Sequence, residues 1–144
     1  MNMKSVAIGA FVAWIVDMVY GFVVYGMLLA NEFGRYPGVF RPMDTINAHM
    51  PLMAAGGLLA MFALAYMYAK GYEGGNRAVE GLRFGILLGI FMVGYIAIGN
   101  YVVMNIGRKL AVSMAVAGFV EFALVGLAIG AVYTRSGQAS TARA

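Results

Sequence analysis

The sequence predicts an all-α membrane protein, a bundle of four transmembrane helices, and three observations carry that prediction. Charged residues make up 11% of the chain and hydrophobic ones 62%, where a soluble domain carries about 25% charged residues. Four apolar runs fit into the 144 residues with little left over, each near the roughly 20 residues needed to cross a hydrocarbon layer about 30 Å thick. Inside these runs apolar residues cover every side of a helix, as from Gly57 to Ala65. Such a pattern suits lipid contact all round and lacks the roughly ten-residue alternation of a membrane barrel.

The first span covers residues 5–30 and is interrupted only by Asp17. Lys4 precedes it, but the apolar stretch outruns the 7–15 residues of a secretory signal core, so it reads as an anchor. A polar and aromatic connection containing Pro37, Gly38 and Pro42 leads to the second span, residues 48–69. Asp44 is expected to cap that helix, and Pro51 falls in its first turns. The stretch from Lys70 to Gly81 is aqueous in character. The third span covers 82–105, a tight turn follows at Ile106 to Lys109, and the fourth span covers 110–133. Residues 1–133 form one domain, and 134–144, rich in Ser, Ala and Gly, read as a flexible tail. Gly9 and Tyr25 recur as Gly85 and Tyr101 at one offset, and Met53-Ala54 with Gly57 recur as Met114-Ala115 with Gly118 at another. These matches suggest a weak duplication of a helical hairpin.

With four spans, both termini and the second connection share one side of the membrane. That side holds Lys4, Lys70, Arg77, Arg83, Arg135 and Arg143, against Arg35, Arg41, Arg108 and Lys109 on the other. The excess of basic residues places both termini in the cytoplasm. The net charge of +4 reflects these loops and gives no nucleic-acid surface.

Helices in lipid associate through close backbone approach and polar contacts. Gly81, Gly85 and Gly89 stand four apart on one face of the third span, and Gly126 and Gly130 repeat the spacing in the fourth. They are the expected helix-packing residues, whether toward another helix of the same chain or toward a second copy. Phe33, Tyr36 and Phe40 on one side, and Tyr66, Tyr68 and Tyr72 on the other, have the placing of interfacial aromatic belts.

Two carboxyl side chains, Asp17 and Glu121, fall near the middle of the first and fourth spans. A central acid costs about 2.5–3.5 kcal/mol to insert, and neither has a Lys or Arg at its depth. Asp17 shares its face with Ala10, Ala13, Trp14, Tyr20, Gly21 and Val24, and Glu121 with Ala117, Gly118, Leu124 and Val125. Small neighbours suit a bundle interior. Asp17, Glu121, Asn100 and Tyr20 are therefore the candidate intramembrane polar site. Three roles stay open for the acids: hydrogen-bonding glue between helices, exchange of a proton for a cation, or pairing with a cation on a partner protein. Glu80 and Arg83, three apart, are placed to pair on one face, and Arg83 is a candidate lipid-headgroup contact together with Glu80. His49, the single histidine, reads as a polar residue at a helix start.

The chain has no cysteine, which excludes disulfides, thiolate catalysis and Cys-ligated metals. No phosphate-binding loop, nucleophile elbow or paired-histidine helix occurs. No catalytic residue, metal ligand or cofactor-binding residue is assigned, and no cofactor is expected. The protein reads as non-enzymatic.

The stretch Lys70-Gly71-Tyr72-Glu73-Gly74-Gly75, followed by Glu80-Gly81-Leu82-Arg83-Phe84-Gly85, resembles a family of short, uncharacterised bacterial four-helix integral membrane proteins. The likeness extends to Asp17, Arg41-Pro42 and Glu121 and covers nearly the whole chain. A histidine-glycine pair that commonly follows the first acid in that family is replaced here by Tyr20-Gly21. The resemblance implies a four-helix fold in the bacterial inner membrane and no particular activity. In architecture alone the chain is also similar to the small multidrug transporters, four short helices with an acid in the first, although none of their surrounding motif is present.

The dominance of packing signals favours an accessory or assembly component, working as a homo-oligomer or within a larger membrane complex in the lipid bilayer. The alternatives are a small proton-coupled transporter using the intramembrane carboxylates, and a protein that binds lipid or hydrophobic small molecules between its helices.

Overall fold

The computed structural model describes residues 1–134. The expected tail lies outside the described residues apart from Thr134, as do Arg135 and Arg143. Four helices are long and apolar enough to cross a membrane: α1 Met3–Leu28, α2 Met43–Gly71, α3 Arg77–Val103 and α4 Arg108–Val132. A single helical turn, Ala30–Phe33, follows α1, and no strand occurs among the described residues.

The helices start earlier than the apolar runs, because hydropathy marks the lipid-facing length while hydrogen bonding continues to the nearest cap. The side chain of Asn2 accepts the Lys4 and Ser5 amides and starts α1. Asn76 does the same for α3 through Ala78 and Val79, so the polar turn from Arg77 to Glu80 is helical. α2 begins at Met43 with Pro42 in the cap position. Asp44 consequently stands in the first turn, where it favours the positive end of the helix, and does not cap it. α2 runs unbroken through Pro51, whose ring leaves one backbone carbonyl of the preceding turn without its donor. α1 and α3 each contain a π-helical turn, Val24–Leu28 and Met92–Ala97.

α1 packs on α2 and on α4, and α4 packs on α3, giving the spatial order α2-α1-α4-α3. The closest seam is α3 on α4. A Cβ added to Gly81 would lie 2.7 Å from the Cα of Gly130, one on Gly126 2.5 Å from the Cα of Gly85, and one on Gly89 2.8 Å from the Phe119 ring. No side chain fits there, so the two backbones meet directly. The glycine ladder is thereby committed within one chain. On the other hairpin, Gly57 of α2 lies beneath Trp14 and Met18 of α1, much as Gly118 of α4 lies beneath Met92 of α3. Trp14 Nε1 also donates to the Ala54 carbonyl at 2.9 Å. Each hairpin pairs a helix carrying a π turn with an uninterrupted one.

The core is one-sided. Val6, Ala10, Ala13, Met61, Ala65, Tyr68, Ala69, Tyr72, Val125, Ile129 and Tyr133 pack together, all in the half nearest the N-terminus and the α2–α3 connection. Tyr68 and Tyr72 belong to this core, their rings against Tyr133 at 5.5 and 5.4 Å, whereas the expected belt would have turned them outward. Tyr66 is exposed and carries Lys70 over its ring. In the opposite half, α2 buries nothing from Met43 to Ala60, and α3 buries only Ala97 from Ile90 to Val103. α1 and α4 stay joined there: Lys109 Nζ donates to Glu32 Oε1 at 2.6 Å, and the Gly107 amide donates to the Tyr36 hydroxyl at 3.0 Å. The bundle is closed at one end and splayed at the other.

Candidate functional site: a carboxyl pair at mid-bundle

α1 and α4 run antiparallel, and three contacts fix their register. At the closed end the Ser5 and Thr134 hydroxyls are 2.6 Å apart. Gly9 lies against Ile129 and Val132, and further along the Tyr20 hydroxyl donates to the Ala117 carbonyl at 2.8 Å. This register places Asp17 opposite Glu121 across the α1–α4 seam. At about 1.5 Å of rise per residue, each lies roughly 20 Å from the start of its helix, close to the middle of the span. Both are half-buried.

Two tyrosines complete the site. Tyr20 is one turn beyond Asp17, its hydroxyl committed to the α4 backbone. The Tyr25 hydroxyl donates to Glu121 Oε2 at 2.9 Å, and the Tyr20 and Tyr25 rings meet edge-on with centroids 6.3 Å apart. Of the four residues expected from the sequence, the fold brings Asp17, Glu121 and Tyr20 together. Asn100 falls elsewhere: the seam that sets Gly89 against Phe119 and Met92 against Gly118 carries it toward the first turns of α4, several turns from Glu121. Tyr25 takes the place that sequence reasoning reserved for Asn100. Its eight-residue separation from Asp17 exceeds two helical turns by a fraction, so face-matching alone passes over it.

Two carboxylates facing each other in an apolar seam repel, and a proton on one of them removes that repulsion. Among the described residues, no Lys or Arg reaches this depth: the basic residues of the spans stand at their ends, at Lys4, Lys70, Arg77, Arg83, Arg108 and Lys109. A proton can therefore enter or leave the pair without an internal ion pair being broken. Oxygen is the only donor atom offered, from two carboxyls and two phenols.

The residues around the α2–α3 connection have different work. Glu80 does not pair with Arg83. Its carboxylate turns back to accept the amides of Gly75 at 2.5 Å and Glu73 at 3.0 Å. Arg83 is exposed and makes no ion pair among the described residues. Gly74 takes a positive φ of 104° at the turn, which a side chain would resist. The Tyr72 hydroxyl donates to the Gly75 carbonyl, Tyr68 to the Arg77 carbonyl, and Arg77 to the Tyr133 carbonyl, at 2.8–2.9 Å. These residues form a stopper over the closed end of the bundle. His49 is held between Arg41 and the Thr45 carbonyl at 2.8 Å each, a local contact at the start of α2.

Compared with known protein families, curated proteins and solved structures, the chain matches none.

Proposed function

We propose that this protein is a small, non-enzymatic, proton-coupled membrane carrier in which Asp17 and Glu121 exchange a proton for a cation. One observation carries this reading. The carboxyl pair, with no fixed cation beside it, stands at the depth where the packed half of the bundle gives way to the splayed half. A group placed there exchanges with the open side while the Tyr68–Tyr72–Tyr133 cluster seals the other. The likeness of the stretch from Lys70 to Gly85 to bacterial four-helix proteins supports an inner-membrane setting, and the distribution of basic residues supports cytoplasmic termini.

The test is proton release in liposomes that hold the purified protein and a trapped pH dye, with sodium, potassium or tetraphenylphosphonium added outside as probes. The wild type releases protons to at least one of them. Asp17→Asn and Glu121→Gln fall to the level of protein-free liposomes. Equal behaviour of all three proteins discards the carrier reading. The accessory reading keeps one observation in its favour: among the described residues, α2 buries none from Met43 to Ala60, and α3 only Ala97 from Ile90 to Val103. Native mass spectrometry after gentle extraction decides for it if the wild type emerges bound to a larger, different membrane protein.

A further inference from the structure

Tyr25 is the second residue of the π-helical turn Val24–Leu28, and its hydroxyl crosses the α1–α4 seam to Glu121. The same hydroxyl lies 3.9 Å from the point where a side chain on Gly118 would begin. Met92, the first residue of the π-helical turn of α3, lies 3.3 Å from that point. One bare glycine, three residues before Glu121 on α4, is thus approached by a side chain from the π turn of α1 and by one from the π turn of α3.

We propose that Tyr25 is the positioning residue of the carboxyl pair, holding the ionised Glu121 side chain in place and passing a change in its protonation to α3 across Gly118, which Tyr25 and Met92 both approach. The proposal rests on the reading of Asp17 and Glu121 as a proton-exchanging site. An O–H donor binds an ionised oxygen about twice as strongly as a neutral one, so adding a proton to Glu121 loosens Tyr25. A π turn accommodates one residue more than an α turn between its bonded groups, and such turns recur at functional sites. The segment of α3 beyond Met92 is free to respond, since Ala97 alone is buried there. Tyr20 cannot replace Tyr25, because its hydroxyl is already bound to Ala117.

Among the described residues, no other ionisable group competes at this depth. α1 contributes Asp17, Tyr20 and Tyr25. α2 has none from Met50 to Ala65. α3 carries Tyr95 and Tyr101 in its open half and its charges at the closed end, and α4 has only Glu121 between Lys109 and Val132.

The chain has no cysteine, so two introduced ones, Met53→Cys on α2 and Tyr95→Cys on α3, both at exposed positions, accept spin labels in lipid nanodiscs. With Tyr25 in place, the distance between the labels differs between acidic and alkaline buffer. With Tyr25→Phe, which keeps the ring against Tyr20, the distance is the same in both. A Tyr25→Phe protein that follows the wild type, or a wild type that does not respond to pH, overturns the proposal. A second readout is the pH profile of exchange against tetraphenylphosphonium. Tyr25→Phe retains exchange, with its midpoint moved upward by about one pH unit, because the lost hydroxyl donated to the ionised form. An unmoved midpoint, with Asp17→Asn and Glu121→Gln inactive, leaves the carrier reading standing and removes Tyr25 from it. If those two variants exchange like the wild type, the carrier reading falls, and the label distances still decide the coupling.

Discussion

Glu32 holds two cations at the splayed end of the bundle, Lys109 at 2.6 Å and Arg35 at 3.4 Å. The hydrogen bond from Lys109, and then the charge of Arg35, hold its carboxyl below the ordinary value. A carboxyl with a lowered folded-state value stabilises the fold at pH values above its unfolded one, near 4.3, and loses that contribution as pH falls through the lowered value. Glu32→Gln therefore melts at a lower temperature than the wild type at neutral pH and low salt, in thermal scans in detergent. The difference closes in acid and shrinks with added salt. Single residues were unevenly legible in the sequence. Asp17 and Glu121 stand out because a carboxyl in an apolar run needs a reason to be there. The partner of Glu80 did not, because the spacing to Arg83 allows a pair, while the amides of Glu73 and Gly75 come into reach only through the reversal at Gly74. Tyr25 was hidden for a related reason, since its reach across the seam depends on the backbone of α4.

At the scale of helices, the α3–α4 seam depends on the absence of side chains. Gly85→Val would press into the backbone of Phe122 and Ala123. Overpacking of this kind costs about 1–3 kcal/mol or more, read as a fall in thermal midpoint in detergent. Gly56→Ala gives the opposite result. Nothing lies within 4 Å of that position, and replacing an unconstrained helical glycine by alanine stabilises by about 0.5–1 kcal/mol. The contrast separates a packing glycine from an incidental one. Four-residue spacing made the ladder legible, because i and i+4 share a helix face in any helix. The π turns were not: each holds a glycine, Gly26 and Gly94, but glycine is frequent in membrane helices and does not by itself mark a π turn.

For the whole molecule, the four spans followed from hydropathy, but their packing order and the one-sided opening did not. A leucine facing lipid and one facing another helix are equivalent by hydropathy, and the sequence offers no second signal to divide the bundle into a tight half and a loose one. For orientation, the basic residues give the expectation of cytoplasmic termini. An impermeant maleimide applied to intact cells labels Gly38→Cys and spares Glu73→Cys, both of which stand at exposed positions outside the helices. The reverse pattern places the termini outside and turns the splayed end toward the cytoplasm.

The pairing of Asp17 with Glu121 across the seam also sets an order of events during synthesis. The two residues are 104 positions apart (121 − 17), which at about 5–20 residues per second separates their emergence from the ribosome by roughly 5–20 s. Over that interval α1 stands in or beside the membrane with its acid unmatched, at a cost of about 2.5–3.5 kcal/mol. α2 cannot supply a partner, since its central length carries no ionisable side chain. The nascent α1–α2 hairpin is thus the stage most dependent on the insertion machinery. The arrival of α4, with α3 docked on it through the glycine seam, is the step that relieves it.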